Sequence, residues 1–393
     1  MCRILILSVI VISLLGAFFI APFFVLFFIL FLSFFIKELK DKTLYIFVVF
    51  IAFLSQIIVA NGDIRVYYQS DYESSINALK FFRAIILYII DYLGLNNKNY
   101  GFFSIILSGF ISAYIINFYL EKLNIKLIHY SLLSLLSFLF VFKISLITTF
   151  EWFLGSMFLW LGMIFYIQGK RVLPILLFFC ALLIHVNLFV LALVFLQVIF
   201  FYRRNNYFFC FLSFINIVIV FMLLGLVEKL IPNSSYYFTG GWSRFVGINE
   251  HAQRLLLVFN ILFSIMFFYK YNLDSRISLF YTKILILMAP LLFLFVEYRT
   301  IFFRYSEFLL MLFLYVYLKA FLVFKIKGKI FLIIICMVQV IFPYNIYSVA
   351  DLRYNIDYDI WNDNLKTIFI NDIQYPDYIN NKQVGDSTGS DRK

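Results

Sequence analysis

Charged residues are scarce in this chain: they fill 13% of its 393 positions against 64% hydrophobic, a balance that excludes an ordinary soluble domain. Cysteine is scarce as well. Cys2, Cys180, Cys210 and Cys336 lie in or beside apolar runs without metal-ligand spacing, so neither a disulfide framework nor a zinc site is expected. No Walker loop, dinucleotide fingerprint or zincin motif occurs, and no cofactor or metal is expected. Repeats with a period of roughly 20 to 50 residues are lacking too. The apolar run 5–36 is too long for a signal-peptide core and has no clear small-residue cleavage site, so it is expected to stay as membrane segments, the first directing insertion.

What is present is apolar sequence in long runs. Segments 43–60, 100–119, 127–147, 151–168, 206–227, 254–270, 277–296, 301–321 and 330–347 are each read as a span from their length and lack of charge. Two longer runs need splitting: 4–36 into two helices meeting near Ala21-Pro22, and 172–201 into a hairpin. The fold class is therefore an all-α polytopic membrane protein with about 11–13 transmembrane or re-entrant helices and larger extracytoplasmic loops. A net charge of +11 would suggest nucleic acid in a soluble protein, but most of the excess sits in short loops between apolar runs. It is a topology signal, and no nucleic-acid partner is expected. Lys37, Lys40 and Lys42, Lys122 and Lys126, Lys170 and Arg171, Arg203 and Arg204, Lys270 and Arg276, and Lys325, Lys327 and Lys329 all fall on one side, which the positive-inside rule makes cytoplasmic. The expected organisation is a transmembrane domain over 1–347, with outer loops 61–99 and 228–253 and short outer turns at 148–151 and 297–303. A polar, periplasmic tail follows over 348–393, disordered toward 385–393.

The run 172–201 holds thirty residues without a charge and carries His185 and Asn187 near its centre. As one straight helix it would span about 45 Å, against a hydrocarbon core of about 30 Å. Lys170 and Arg171 precede it and Arg203 and Arg204 follow, so both ends favour the cytoplasm and the run should go in and come back, turning at His185-Val186-Asn187. Each arm would reach about 22 Å, leaving the imidazole recessed below the outer surface, either as a structural histidine at the turn or as a base.

Other outer-face residues carry chemistry. Within 61–99 acids and bases nearly balance and read as solvated loop charges or as the polar face of an interfacial amphipathic helix over 81–95, where apolar residues recur at helical spacing and Arg83 sits among apolar neighbours. Glu151 opens a span, either as a helix-start carboxylate favoured by the macrodipole or as an acid facing a cavity or an arginine. Segment 228–254 combines Tyr236-Tyr237, Gly240-Gly241, Trp242, Arg244, His251 and Arg254. Rings pack on sugar faces and guanidinium forks pair with phosphate, while the same composition also suits a membrane-interface belt. Glu297, Arg299, Arg304 and Tyr305 crowd a short outer turn, so that Arg304 either snorkels or binds a lipid-linked phosphate. Asp357-Tyr358-Asp359 looks like the paired acids that hold metal in nucleotide-sugar transferases, but the tail is too short for such a domain.

This layout resembles the EpsG-like and Wzy-type oligosaccharide repeat-unit polymerases of bacterial envelopes. The resemblance rests on an outer loop with Asp71-Tyr72, a polar helix start after a short outer turn, the histidine in Leu183-Ile184-His185-Val186-Asn187, and Arg299 followed by Arg304-Tyr305, and covers about 60–320. Where many relatives begin the fifth or sixth span with an arginine, this chain has Thr149-Phe150-Glu151-Trp152. The resemblance implies an enzyme of the bacterial inner membrane that joins oligosaccharide repeats carried on undecaprenyl diphosphate at the periplasmic face. It implies His185 as base, with Glu151 and Asp71 in reserve, and Arg83, Arg244, Arg254, Arg299 and Arg304 as holders of the diphosphate. Tyr72, Trp242 and Tyr305 complete the substrate set. Implied partners are the lipid-linked oligosaccharide, membrane lipids and a chain-length regulator protein. Two other functions fit the same layout: a flippase or transporter of the lipid-linked repeat, and a membrane transferase that decorates the polymer.

Overall fold

The computed structural model describes residues 13, 16–33, 42–57, 72–77, 80–97, 99–125, 127–141, 150–185, 188–230, 248–271 and 275–341, which form helices and turns with no strand among them. In chain order the helices are α1 (Pro22–Ser33), α2 (Thr43–Ile57), α3 (Tyr72–Asn77), α4 (Phe81–Tyr92), α5 (Asn99–Lys122), α6 (Leu127–Val141), α7 (Phe150–Ile167) and α8 (Val172–Ile184). They continue with α9 (Phe189–Phe200), α10 (Asn206–Leu230), α11 (Ile248–Tyr271), α12 (Arg276–Leu294), α13 (Arg299–Phe308), α14 (Leu310–Val323) and α15 (Ile326–Ile341). Of these, Asn99–Lys122, His251–Tyr271 and Arg276–Leu294 are long and apolar enough to cross a membrane, and the bent pair Ile301–Phe308 with Leu310–Val323 makes a fourth if taken as one span. Other apolar helices are shorter, among them Thr43–Phe53, Val172–Ile184 and Phe189–Phe200. The expected tail 348–393, Asp71, Gly240-Gly241, Trp242, Arg244 and Asp357-Tyr358-Asp359 lie outside the described residues.

Side-chain meetings along α7 fix the direction of its neighbours. Gly155 faces Ala181 and Ile184 while Gly162 faces Pro174 and Phe178, so α8 runs antiparallel to α7. Leu188 lies against Gly155, Phe195 meets Trp160 at 5.4 Å, and the Ile199 carbonyl accepts from Tyr166 Oη at 3.1 Å, so α9 runs parallel to it. The two arms therefore turn back on one another around His185, and Phe178 meets Phe195 across them at 5.8 Å. The run 172–201 is thus two antiparallel arms, as its matching basic flanks suggest, while Val186 and Asn187 of the expected turn lie outside the described residues.

The close approach has a sequence cause. Gly155 and Gly162 are seven apart and share a face of α7; a Cβ added there would sit 2.3 Å from Leu188 Cδ1 and 2.6 Å from Phe178 Cε1. Small residues that let helix backbones approach are the usual means of packing where hydrophobic burial supplies little drive between helices.

The same logic orders the rest. In α5, Tyr100 meets the start of α7 and Tyr114 meets Phe165 near its end, so the two run parallel. Tyr45 to Phe110 and Phe53 to Phe102 make α2 antiparallel to α5. Arg276 opens α12 beside Tyr166, with its Nη2 donating to the Tyr166 carbonyl at 3.2 Å. Lys122, Lys170, Arg171, Arg203, Arg204 and Arg276 accordingly gather, exposed, at one end of the bundle, and His185 and Glu151 lie toward the other. At the centre the fully buried Trp160 is stacked on Phe308 at 5.3 Å and meets Tyr281 and Phe195 edge-on at 5.5 and 5.4 Å. Such ring pairs contribute about 0.5–1.5 kcal/mol each beyond area burial.

One expected span is bent. Segment 301–321 reads as a single helix, but the chain bends by 48° between α13 and α14. The cause is on α7: Trp152 Nε1 donates to the Arg304 carbonyl at 3.3 Å and Trp160 Nε1 to the Phe308 carbonyl at 2.7 Å. Indole donors inserted beside the carbonyl ladder open it, and Leu309 N–H bonds back to Ser306 O at 3.0 Å in a tighter turn.

Candidate functional site

The site is assembled from the N-terminal ends of α4, α5 and α7, the hairpin turn and α13. Helix α4 shows why its sequence positions an arginine. Arg83, Ala84, Leu87 and Ile90 recur at helical spacing and are buried, while Ile85, Tyr88, Ile89 and Tyr92 are exposed on the opposite face. Arg83 is thus carried inward on the buried stripe. There its Nε donates to Glu151 Oε1 at 2.6 Å and its Nη2 to Oε2 at 2.8 Å, a bidentate pair whose side chains are 8% and 2% exposed. Tyr100 Oη, on the first turn of α5, donates to Glu151 Oε1 at 2.7 Å. Glu151 occupies the second position of α7, where the macrodipole favours an acid. Of the two readings its sequence position allowed, the helix-start carboxylate and the acid facing an arginine, both apply.

His185 ends α8 in an extended conformation, φ −151 and ψ 105, with its N–H bonded to Ala181 O and its carbonyl accepting from Leu188 N–H, both at 3.0 Å. The side chain is 8% exposed. Its ring meets Trp152 edge-on at 5.3 Å, and Nδ1 is buried with no hydrogen-bond partner among the described residues. Lys80, Arg304 and Arg83 are close enough for their charges to act on the imidazole. Trp152 is the centre of the arrangement. Beyond His185 it carries the Arg304 guanidinium 5.6 Å from its ring centre, and Tyr305 lies 5.9 Å away. Lys80, just ahead of α4, places Nζ 3.9 Å from Glu151 Oε2. Burial pulls the Lys80 ammonium below the ordinary lysine value, with Arg83 and Arg304 adding to the effect and Glu151 opposing it.

Of the residues expected from sequence, His185, Glu151, Arg83, Arg304 and Tyr305 are thus brought together around Trp152. Arg254 is not part of that group: its Nη1 donates to Glu297 Oε1 at 2.9 Å in a partly exposed pair between α11 and the turn before α13. Arg299 is buried at the first position of α13, about 140° around the helix from Arg304 at 3.6 residues per turn. Asp71, Trp242 and Arg244 lie outside the described residues, as does the side chain of Tyr72, whose backbone opens α3. Three members had no expected role: Lys80, Tyr100 and Trp152. Lys80 and Arg83 stand three apart, the spacing of one helix face, and Trp152 follows Glu151 directly; those are the signals that could have marked them. Comparison with protein-family models, curated proteins and solved structures finds no match for this chain.

Chemically, the arrangement offers a sheltered nitrogen base, cations for an anionic group, and a wall of aromatic rings for a sugar face. Glu151 differs from the other members. Its oxygens already accept three hydrogen bonds, two from Arg83 and one from Tyr100.

Proposed function

We propose that this chain is a multi-pass enzyme of the bacterial inner membrane that polymerises undecaprenyl-diphosphate-linked oligosaccharide repeats at the periplasmic face. The observation that carries the reading is the buried His185 imidazole, unpartnered at Nδ1 among the described residues, set against Trp152 beside Lys80, Arg83 and Arg304. Its position supports a periplasmic site, since the exposed basic residues gather at the opposite end of the bundle.

In the reaction an acceptor sugar hydroxyl attacks the anomeric carbon of the donor, whose bond to the diphosphate oxygen breaks. The hydroxyl proton passes to the His185 imidazole, and the electron pair leaves with the diphosphate. Neutral imidazole is suited to that proton at neutral pH. Cations stabilise the charge growing on the departing oxygen more than they stabilise the ground state, which is the condition for acceleration. The activated donor supplies the energy, in keeping with a chain that has no nucleotide-binding motif. Trp152 and Tyr305 supply ring faces for a pyranose. Glu151 serves as the anchor of Arg83 in this scheme rather than as the acid.

Deletion of the chain tests the reading on an electrophoretic profile of surface polysaccharide. Single repeats at the surface are the expected result. No repeats would identify a flippase, and full-length unmodified chains a decorating transferase. In complementation, His185→Ala and Arg304→Ala abolish long chains while the protein still inserts; unchanged long chains in either variant remove that residue from the mechanism.

A further inference from the structure

We infer that Lys80 is a ligand for the phosphate-bearing group of the substrate, acting with Arg304 beside His185, and that Arg83 is instead a positioning residue held away from the substrate by Glu151. The inference rests on the function proposed above and divides its cations by what each side chain has already engaged.

Arg83 directs Nε and Nη2 at Glu151, and the pair is sealed, at 8% and 2% side-chain exposure. A guanidinium so engaged has its fork filled by a carboxylate, the shape it would otherwise present to phosphate. Lys80 is different in each respect. Its side chain is 24% exposed, which leaves it reachable. Its Nζ stands 3.9 Å from Glu151 Oε2, beyond hydrogen-bond distance, and among the described residues the ammonium makes no hydrogen bond. Three N–H donors are therefore available on a cation whose desolvation only a carboxylate at ion-pair range opposes. An oxyanion is the ligand such a group lacks. Arg304 lies half-buried over the Trp152 ring, which His185 also meets, and Lys80 stands at Glu151, the residue before Trp152, so a phosphate held by the two cations would sit next to the proposed base. The buried Arg83–Glu151–Tyr100 cluster fixes the start of α4, and Lys80 immediately precedes that helix. Arg83 thereby sets where the Lys80 ammonium stands without touching the ligand.

The test uses the full chain purified in nanodiscs, titrated calorimetrically with farnesyl diphosphate, with farnesol as the uncharged analogue and inorganic pyrophosphate as the lipid-free anion. Farnesyl diphosphate should bind the wild type and farnesol should not. Pyrophosphate binding more weakly than the farnesyl compound identifies a lipid-borne group, and equal binding identifies a site for free phosphate. Lys80→Gln should weaken farnesyl diphosphate about tenfold or more, the value of one charge-assisted hydrogen bond, while Lys80→Arg stays near wild type. In turnover assays the same Lys80→Gln change should appear chiefly in the donor KM. Wild-type affinity in Lys80→Gln, with the protein correctly folded by melting and elution, overturns the assignment and leaves the proposed function standing. A wild type blind to farnesyl diphosphate overturns both. Loss of binding in Lys80→Arg as well as Lys80→Gln marks Lys80 as structural and also overturns the assignment.

Discussion

The two ends of the helix bundle hold the same cationic residue types in opposite environments. At one end Lys122, Lys170, Arg171, Arg203 and Arg204 are exposed around the ends of α5, α7 and the hairpin. At the other, Arg83 is buried against a carboxylate, Lys80 and Arg304 are half-buried, and a histidine is buried against Trp152. Exposed cations remain hydrated and can act only through their sum, as an orientation signal. Buried cations must be matched individually, and what matches them is informative. Lys283 shows that burial alone is not enough: it lies inside the fold nearer the basic end, donates to the Tyr202 carbonyl, and stands over the Tyr202 and Phe209 rings at 4.5 and 5.0 Å. That cage is complete within the chain and ties the loop after α9 to α12. The cluster around Trp152 differs by retaining donors and a nitrogen lone pair for something else.

The contrast can be broken most sharply by activity. His185→Ala should lower turnover by about 100- to 10,000-fold, the usual contribution of a general base, whereas Arg203→Gln with Arg204→Gln should leave it unchanged in correctly inserted protein. Equal losses at both ends, measured with purified protein, would erase the distinction. Next in size is stability. Glu151→Ala leaves the Arg83 charge buried without its partner and should cost about 3–5 kcal/mol in denaturant unfolding, with much of that recovered in the Glu151→Ala, Arg83→Met double variant. Additive losses in the double-mutant cycle would mean that the two do not act as a unit. Filling the α7 groove with Gly162→Leu should cost about 1–3 kcal/mol by overpacking against Phe178, read as a lowered Tm, with no change in the donor KM of the surviving protein. The smallest effect concerns pH. Because Lys80 titrates below an ordinary lysine, farnesyl diphosphate affinity should fall as pH rises and the ammonium is lost, and Lys80→Arg should flatten that fall. A wild-type profile identical to Lys80→Arg across the alkaline range would count against the ammonium as ligand.

Parts of this arrangement were legible one segment at a time. The hairpin followed from a run too long for one crossing with basic residues at both ends, and α4 from apolar spacing with one misplaced arginine. His185 stood out because nothing else polar except Asn187 and Gln197 interrupts its run. The break at Leu309 was not legible, because 301–321 contains neither glycine nor proline to mark a helix end and the indole donors beside its carbonyls come from Trp152 and Trp160 on another helix. The partner of Arg83 was equally hidden, since Glu151 is 68 residues away. Arg254 was set apart only by the fold: its neighbours in sequence suit a phosphate, and Glu297 from the turn before α13 pairs with it.

Composition and the order of charges were sufficient to decide the helical class and the apolar character of the long helices, and they pointed to the described basic residues that gather at one end, because each of these is a sum over a short stretch of chain. Which cations are committed and which are available was decided only by the tertiary structure. Arg83 and Lys80 are three residues apart and chemically alike, and the difference between anchor and ligand is whether Glu151 stands at 2.6 or 3.9 Å, a distance set by the packing of α4 and α7.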